Sequence, residues 1–202
     1  MAEQTTRDRL ISAALRLFAA QGYQRTTVGE IEAAAGFTAR GGTLYKHFDS
    51  KEALLAAAID QQAADVGQTR GIADLLPLGD LRAETILVFR YLFTEISRYR
   101  DITALIEKEG DSAPHLAQRF WDQIAEPGYR LGAQILGRQL ADHGQSDWDA
   151  EALAVILIGA VVNVRRAQWT FGQLPLGVPD ERIVQAVTRI IETLAASASE
   201  RV

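Results

Sequence analysis

The sequence predicts an all-α protein, in which a small module of three short N-terminal helices precedes a larger helical domain. Apolar residues recur at helical spacing along most of the 202 residues, strand-like alternation is not sustained, and no Asn-Gly or Asp-Gly hairpin turn occurs. The chain is long enough to bury a core without disulfides. We expect residues 1–50 to form one domain and residues 51–202 a second, larger helical domain.

The first two helices have clear boundaries in the sequence. Residues 6–20 carry an apolar stripe, and Gly22 follows where a glycine commonly ends a helix. Thr27 and Glu30 have the spacing of a capping box, in which each side chain accepts a backbone N–H of the other residue. We therefore expect a second helix that begins at Thr27 and stops at Gly36.

Two further helices are expected before a loop. A short third helix should lie within Ala39–Lys46, and a fourth should follow Asp49, which has capping-box spacing to Glu52. The fourth helix, about residues 50–65, would connect the two domains. Residues 67–79 contain three glycines and a proline, which predict a loop.

The larger domain should contain longer helices. Residues 81–99 and 102–108 have helical apolar spacing, and residues 114–141 begin with a proline suited to a first turn. Within residues 114–141 the pair Pro127-Gly128 should introduce a kink or a break. Asp180 is expected to cap the last helix.

The last two helices, about residues 149–171 and 180–196, have more apolar surface than a small domain easily hides. Two such helices from each of two chains would form a four-helix interface, so we expect a homodimer; the alternative is that both are ordinary core helices. The apolar run Ala152–Val164 is shorter than the roughly 18 residues of a membrane span, so no membrane partner is expected.

Charge and composition exclude several functions. The net charge is −5, but residues 1–55 carry +1 and the rest −6, so any contact with an anion is expected near the N-terminus. The absence of cysteine excludes disulfides and thiolate metal sites. With isolated histidines and no nucleophile elbow or P-loop, we expect no metal, no cofactor and no enzyme activity. The polar Met1–Asp8 segment lacks the apolar core of a signal peptide, so a cytoplasmic protein is expected.

Helix, glycine-containing turn and helix are the elements of a helix-turn-helix, whose second helix enters the major groove of DNA. Hydroxyl and basic side chains around it would contact phosphates or base edges. A cation in the first turn of a helix, such as Lys51, opposes the helix dipole and is better explained by an external anion. The candidates from the residues themselves are Thr27, Arg40, Thr43, Tyr45, Lys46, His47 and Lys51.

Spaced motifs in this module resemble the DNA-binding domain of the TetR family of bacterial transcriptional regulators. They are LFAAQGY at 17–23, TTV at 26–28, Ile31, AAG at 34–36, TLYKHF at 43–48 and SKEAL at 50–54. The resemblance implies that residues 1–50 are a helix-turn-helix DNA-binding domain and that residues 51–202 are a helical effector-binding and dimerisation domain. It implies a homodimer that dimerises through its last two long helices. It also implies phosphate contacts by Thr27, Tyr45, His47 and Lys51, and base contacts from the segment between Thr38 and Thr43.

The sequence departs from the family pattern in one place. The segment from Gly36 to Thr43 is longer than usual by about two residues and contains a double glycine, which suits a turn or a close backbone approach. This leaves open which of Thr38, Ala39, Arg40 and Gly42 faces the bases.

Aromatic residues cluster in the middle helices, either as core or as walls of an effector pocket. The candidate pocket residues are Phe89, Phe93, Trp121 and Ile124. The expected function is a repressor that binds a palindromic operator on double-stranded DNA and is released by a small apolar or amphipathic effector. The alternatives are a helical carrier or enzyme with a vestigial helix-turn-helix, and a helix-turn-helix that binds protein.

Overall fold

The computed structural model describes residues 5–68, 71–110 and 113–197, and those residues form helices and turns with no strand. The α-helices are α1 Thr6–Gln21, α2 Val28–Ala34, α3 Lys51–Gln68, α4 Gly71–Leu75, α5 Leu81–Arg98, α6 Arg100–Glu109, α7 Pro114–Phe120, α8 Glu126–Ala141, α9 Ala150–Phe171 and α10 Asp180–Ala196. Short 3-10 helices cover Leu44–Lys46 and Pro175–Gly177, and a π-helical turn covers Trp121–Ala125. The expected all-α fold is confirmed.

The helices pack as two compact units. The first unit contains α1, α2, α6, α7, the π turn as far as Ile124, and α3 as far as Gly67; the second contains α4, α5, α8, α9 and α10. These units are defined by packing rather than by function. The predicted division into residues 1–50 and 51–202 therefore stays a prediction.

In the first unit α1 packs on α2 and on α6, around a core to which every helix of the unit contributes. Both bonds of the capping box at Thr27 and Glu30 are present, so the predicted start of α2 is confirmed. The predicted cap of α3 is wrong by one residue: Ser50 Oγ, rather than Asp49, accepts the N–H of Ala53 at 2.9 Å.

The short helix predicted within Ala39–Lys46 is present, but it begins late in that range. Only Leu44–Lys46 is helical, as a single 3-10 turn. Arg40 and Gly42 have φ angles of 61° and 72°, and such left-handed residues cannot continue a right-handed helix. The double glycine allows this path because Gly42 adopts positive φ without steric strain.

The second unit buries α5, α8, α9 and α10 around Phe89, Phe93, Leu140, Val161 and Ile191. Two buried charged groups tie its helices together. Glu84 accepts hydrogen bonds from Arg138 and from the N–H of Leu78, both at 2.6 Å. Arg165 donates to both carboxylate oxygens of Asp180, at 3.0 and 2.6 Å.

Three boundaries in the second half differ from prediction. The expected 67–79 loop contains α4, because Ile72 supplies a buried apolar anchor. The kink or break expected at Pro127-Gly128 lies earlier in the chain, at the π turn Trp121–Ala125. Pro127 itself lies in the first turn of α8, where proline is tolerated. Asp180 is the first residue of α10 rather than its cap.

Two structural features are absent from the described ranges 5–68, 71–110 and 113–197. No helix there is both long enough and apolar enough to cross a bilayer. No cluster of three or more histidine, aspartate or glutamate side chains there is arranged to hold a metal ion.

Candidate nucleic-acid interface

The 3-10 turn at Leu44–Lys46 presents polar side chains because its apolar ones face inward. Leu44 and Phe48 are buried in the core of the first unit, as their spacing of four residues predicts. The intervening Tyr45, Lys46 and His47 are exposed, and Tyr45 retains 61% of its accessible surface. A phenol, an ammonium and an imidazole therefore face solvent together, which is a set of groups suited to phosphate oxygens.

The residues from Gly36 to Thr43, which we call the recognition segment, run as turns across the surface. Thr38 and Arg40 are exposed, and Thr43 is half-buried. The Arg9 guanidinium holds the start of this segment, because it donates to the Ala35 carbonyl at 2.6 Å and lies 4.5 Å from the centre of the Phe37 ring.

Thr27 is exposed at the start of α2, but its hydroxyl is already engaged. The hydroxyl donates to Glu30 Oε2 at 2.8 Å, and the Thr27 backbone N–H donates to the same oxygen at 2.7 Å. These bonds, the backbone one first, lower the pKa of Glu30 below its ordinary value. A phosphate at Thr27 would have to share this hydroxyl with the Glu30 carboxylate.

Lys51 is bound from within the first unit. Its ammonium donates to the carbonyls of Tyr23 at 2.6 Å and Thr26 at 2.9 Å, and lies 4.2 Å from the centre of the Tyr23 ring. Partial burial lowers the pKa of Lys51, and the nearby Glu109 carboxylate opposes that shift. The cation in the first turn of α3 thus has internal partners. A lysine ammonium carries three N–H donors, so these two carbonyls account for two of them.

The four candidate pocket residues lie in different surroundings. Phe89 and Phe93 belong to the core of the second unit, and Ile124 belongs to the core of the first. Trp121 is 49% exposed in the π turn. The effector pocket stays a prediction.

The sequence analysis missed three residues that shape the recognition segment: Arg9, Gly29 and Glu32. Arg9 acts across 26 residues of sequence, and no local pattern predicts such a contact. Gly29 lies beside Arg40. Glu32 is fully buried, and the only local signal for it was a carboxylate within the otherwise apolar stretch from Ile31 to Ala35.

Comparison with known proteins gives consistent matches. The family model for bacterial regulatory proteins of the tetR family matches residues 10–58. ArpR of Pseudomonas putida, named as a helix-turn-helix transcriptional regulator, is 33% identical over 167 residues, which are 78% of this chain and 77% of that protein. The transcriptional regulator AcrR of Shigella flexneri is 38% identical over 65 residues, 32% of this chain and 29% of that protein.

A solved structure extends the comparison to nearly the whole chain. A protein of Pseudomonas aeruginosa PAO1 described as a transcriptional regulator superposes with a TM-score of 0.75 at 24% identity, covering 96% of this chain and 92% of that one. The structural likeness establishes the fold, and the relationship to ArpR spans most of both proteins. The chain therefore belongs to the TetR family and is a DNA-binding transcriptional regulator.

Proposed function

We propose that the chain is a repressor that binds a palindromic operator as a homodimer and contacts double-stranded DNA through Thr27, Thr38, Arg40, Thr43, Tyr45, His47 and Lys51. One observation carries this proposal. Burial of Leu44 and Phe48 turns Tyr45, Lys46 and His47 to solvent, directly after the exposed Arg40. The first unit thus offers cationic and hydroxyl groups over a short stretch of surface turn, in a chain that is acidic overall.

The residues fall into two roles. Tyr45, His47, Thr27 and Lys51 would contact phosphates and so position the module without reading sequence. The recognition segment would read bases, since Thr38 and Arg40 are exposed and Arg40 can bond a guanine edge through two N–H groups.

We place the dimer interface on α9 and α10. Ala152, Val155, Ile156 and Ala160 are exposed and follow helical spacing along α9, and Ile190 is exposed on α10. An exposed apolar stripe of this kind on two neighbouring helices favours burial against a second copy. Twofold symmetry would then present two recognition segments to the two halves of a palindrome.

A small apolar or amphipathic effector would release the operator. Trp121 supports a site near the π turn, because such turns are frequent at functional sites and an indole half-exposed there offers an apolar surface. Release requires that the effector bind the DNA-incompetent conformation more tightly. Coupling of ordinary size would weaken operator binding by roughly 5- to 150-fold.

The first experiment is selection of binding sites from random duplex DNA with the full chain. We expect an enriched inverted repeat, whose affinity falls steeply as salt is raised. A folded chain that enriches no sequence would overturn the proposal. Tight small-molecule binding without DNA binding would then favour a carrier or an enzyme, and salt-insensitive binding to a protein would favour an interaction module.

The effector is tested once an operator is known. Operator affinity is measured with and without members of a panel of apolar and amphipathic compounds, while Trp121 fluorescence is followed in a variant that has Trp148 and Trp169 replaced by Phe. We expect at least one compound to change both signals at the same concentration. If every compound that changes the fluorescence leaves operator affinity unchanged, the proposed switch is wrong.

A further inference from the structure

The recognition segment has a fixed backbone path although it is not helical. Arg40 adopts φ 61°, and Gly42 adopts φ 72°. A non-glycine residue in this conformation is strained, and such strain persists only where the surroundings impose it. The groups that impose it on Arg40 are therefore of functional interest.

Glu32 fixes the end of the recognition segment. It is fully buried on α2, and its Oε1 accepts the N–H of Leu44 at 2.9 Å, across 12 residues of sequence. Its other oxygen, Oε2, is also buried and has no hydrogen-bond partner among the described residues. A buried carboxylate with one oxygen unsatisfied destabilises the fold. Stability alone is thus a poor explanation for this side chain.

Gly29 fixes the side chain of Arg40. A Cβ atom at Gly29 would lie 3.1 Å from Arg40 Cγ and 3.8 Å from Arg40 Nε. The first of these distances is shorter than most Cβ contacts in proteins. The three nearest atoms to that Cβ all belong to Arg40. The stem of Arg40 therefore lies over the first turn of α2, so close that a side chain at residue 29 would displace it by a few tenths of an ångström.

We infer that Glu32 and Gly29 are positioning residues for DNA recognition, which hold Arg40 so that its guanidinium reads a guanine in each half-site. Glu32 sets the register at which the recognition segment rejoins the core at Leu44, and Gly29 sets the direction in which Arg40 leaves the surface. An arginine held in one direction can form the bidentate bond to guanine O6 and N7 that discriminates among bases. This inference rests on the proposed role of the recognition segment in DNA binding.

The test compares base preference rather than affinity alone. Binding sites are selected from random duplex DNA with the full-length wild type and with Arg40→Ala, Gly29→Ala, Glu32→Leu and Glu32→Gln, and thermal unfolding of each variant is recorded. We expect Arg40→Ala to abolish the preference for guanine at one position of each half-site, and this change identifies the position read by Arg40.

Gly29→Ala is the decisive variant because it leaves Arg40 and every predicted DNA contact in place. Alanine favours a helix more than glycine does, so the melting temperature should stay the same or rise. The preference at the position read by Arg40 should nevertheless fall about tenfold, which is within the range of one bidentate contact. A purely structural glycine would leave that preference unchanged.

The two Glu32 variants separate the hydrogen-bond acceptor from the charge. Glutamine keeps an oxygen for the Leu44 N–H and should retain the guanine preference to within about threefold, whereas leucine has similar volume but no acceptor and should lose it about tenfold. If Glu32→Leu does not fold, Gly29→Ala decides the matter.

A wild-type chain that selects no sequence would overturn the proposed function itself. A wild-type preference kept by both Gly29→Ala and Glu32→Leu would overturn only this inference.

Discussion

At the scale of single residues, two lysines that are close in sequence occupy contrasting environments. Lys51 donates to two carbonyls and packs on an aromatic ring, whereas Lys46 is exposed on the 3-10 turn. A bound ammonium stabilises the fold, and an exposed one is available to phosphate. Because both carry the same charge and Lys51 is also a proposed phosphate contact, replacing each in turn separates the contribution of Lys51 to the fold from the contribution of a lysine charge to DNA binding.

We expect Lys51→Ala to lower the free energy of unfolding by about 1–3 kcal/mol, since it removes two charge-assisted hydrogen bonds from the turn between α1 and α2. Lys46→Ala should change it by less than about 0.5 kcal/mol. Both should weaken binding to all DNA sequences, and Lys46→Ala should reduce the slope of log affinity against log salt by about 1. Urea unfolding and binding at two salt concentrations are the measurements. Equal stability of the two variants would contradict this assignment.

Arg40 and Tyr45 should differ in what they recognise. Arg40→Ala should relax the preference at a single base position, because its guanidinium would read a base edge.

Tyr45→Phe removes only an exposed hydroxyl, so we expect about a fivefold loss of affinity that is the same for operator and unrelated DNA, with no change in melting temperature. Binding to a set of single-base operator variants distinguishes these patterns. A uniform loss for Arg40→Ala would make it a phosphate contact.

At the scale of elements, the local sequence correctly predicted the helix boundaries that are set by hydrogen bonds between residues close in sequence. The capping box at Thr27 and Glu30 and the glycine after α1 predicted those boundaries correctly. The helix within Ala39–Lys46 occupies only the end of its predicted range, because distant groups impose a non-helical path on the recognition segment. Arg9 and Glu32 act on it across 26 and 12 residues of sequence, and nothing in the local pattern shows either contact.

Near the N-terminus of α5 a buried carboxylate accepts hydrogen bonds from four donor groups. Glu84 Oε1 accepts the N–H groups of Leu78 and Gly79, and its Oε2 accepts from Arg138 and Gln139. Burial alone would raise the pKa of Glu84, but these donors outweigh it and the pKa lies below the ordinary 4.5. The stabilisation is therefore fully present above pH 4.5 and is lost as the pH falls through the lowered value.

We expect Glu84→Gln to lower the free energy of unfolding by about 2–4 kcal/mol at pH 7, because it removes the negative charge from a buried pair with Arg138. The difference from wild type should shrink as the pH falls below 4.5, where the wild-type carboxyl itself becomes protonated. Glu181→Gln, which breaks an exposed pair with Arg90, is the matched control and should lower the free energy of unfolding far less than Glu84→Gln does. Parallel pH curves for wild type and Glu84→Gln would contradict this account.

At the scale of the whole molecule, the sequence correctly predicted the all-α class and the family from spaced motifs in one quarter of the chain. The effector site could not be predicted in the same way. Phe89 and Phe93 are buried apolar residues in one unit and Ile124 is buried in the other, and burial of this kind has the same sequence pattern whether a residue fills a core or lines a pocket.

Dimerisation is the property of the whole molecule that one substitution can test. Ile156 is 64% exposed in the apolar stripe of α9, so Ile156→Glu should place one charge from each copy on the proposed twofold interface. We expect a monomer by sedimentation and at least a tenfold loss of operator affinity, without loss of helix content. Leu75→Glu, at an exposed leucine on α4, is the control and should remain a dimer. A dimeric Ile156→Glu would place the interface elsewhere.

The non-helical recognition segment also bears on how this regulator could be redirected to new DNA. Side chains on a recognition helix must satisfy helix propensity as well as base contacts, so exchanging them disturbs both. Here the residues from Thr38 to Gly42 lie between two fixed points, Arg9 with the end of α2 on one side and Glu32 with Leu44 on the other. Such a stretch can be transplanted or randomised as a unit, much as an antibody loop is grafted onto a constant framework.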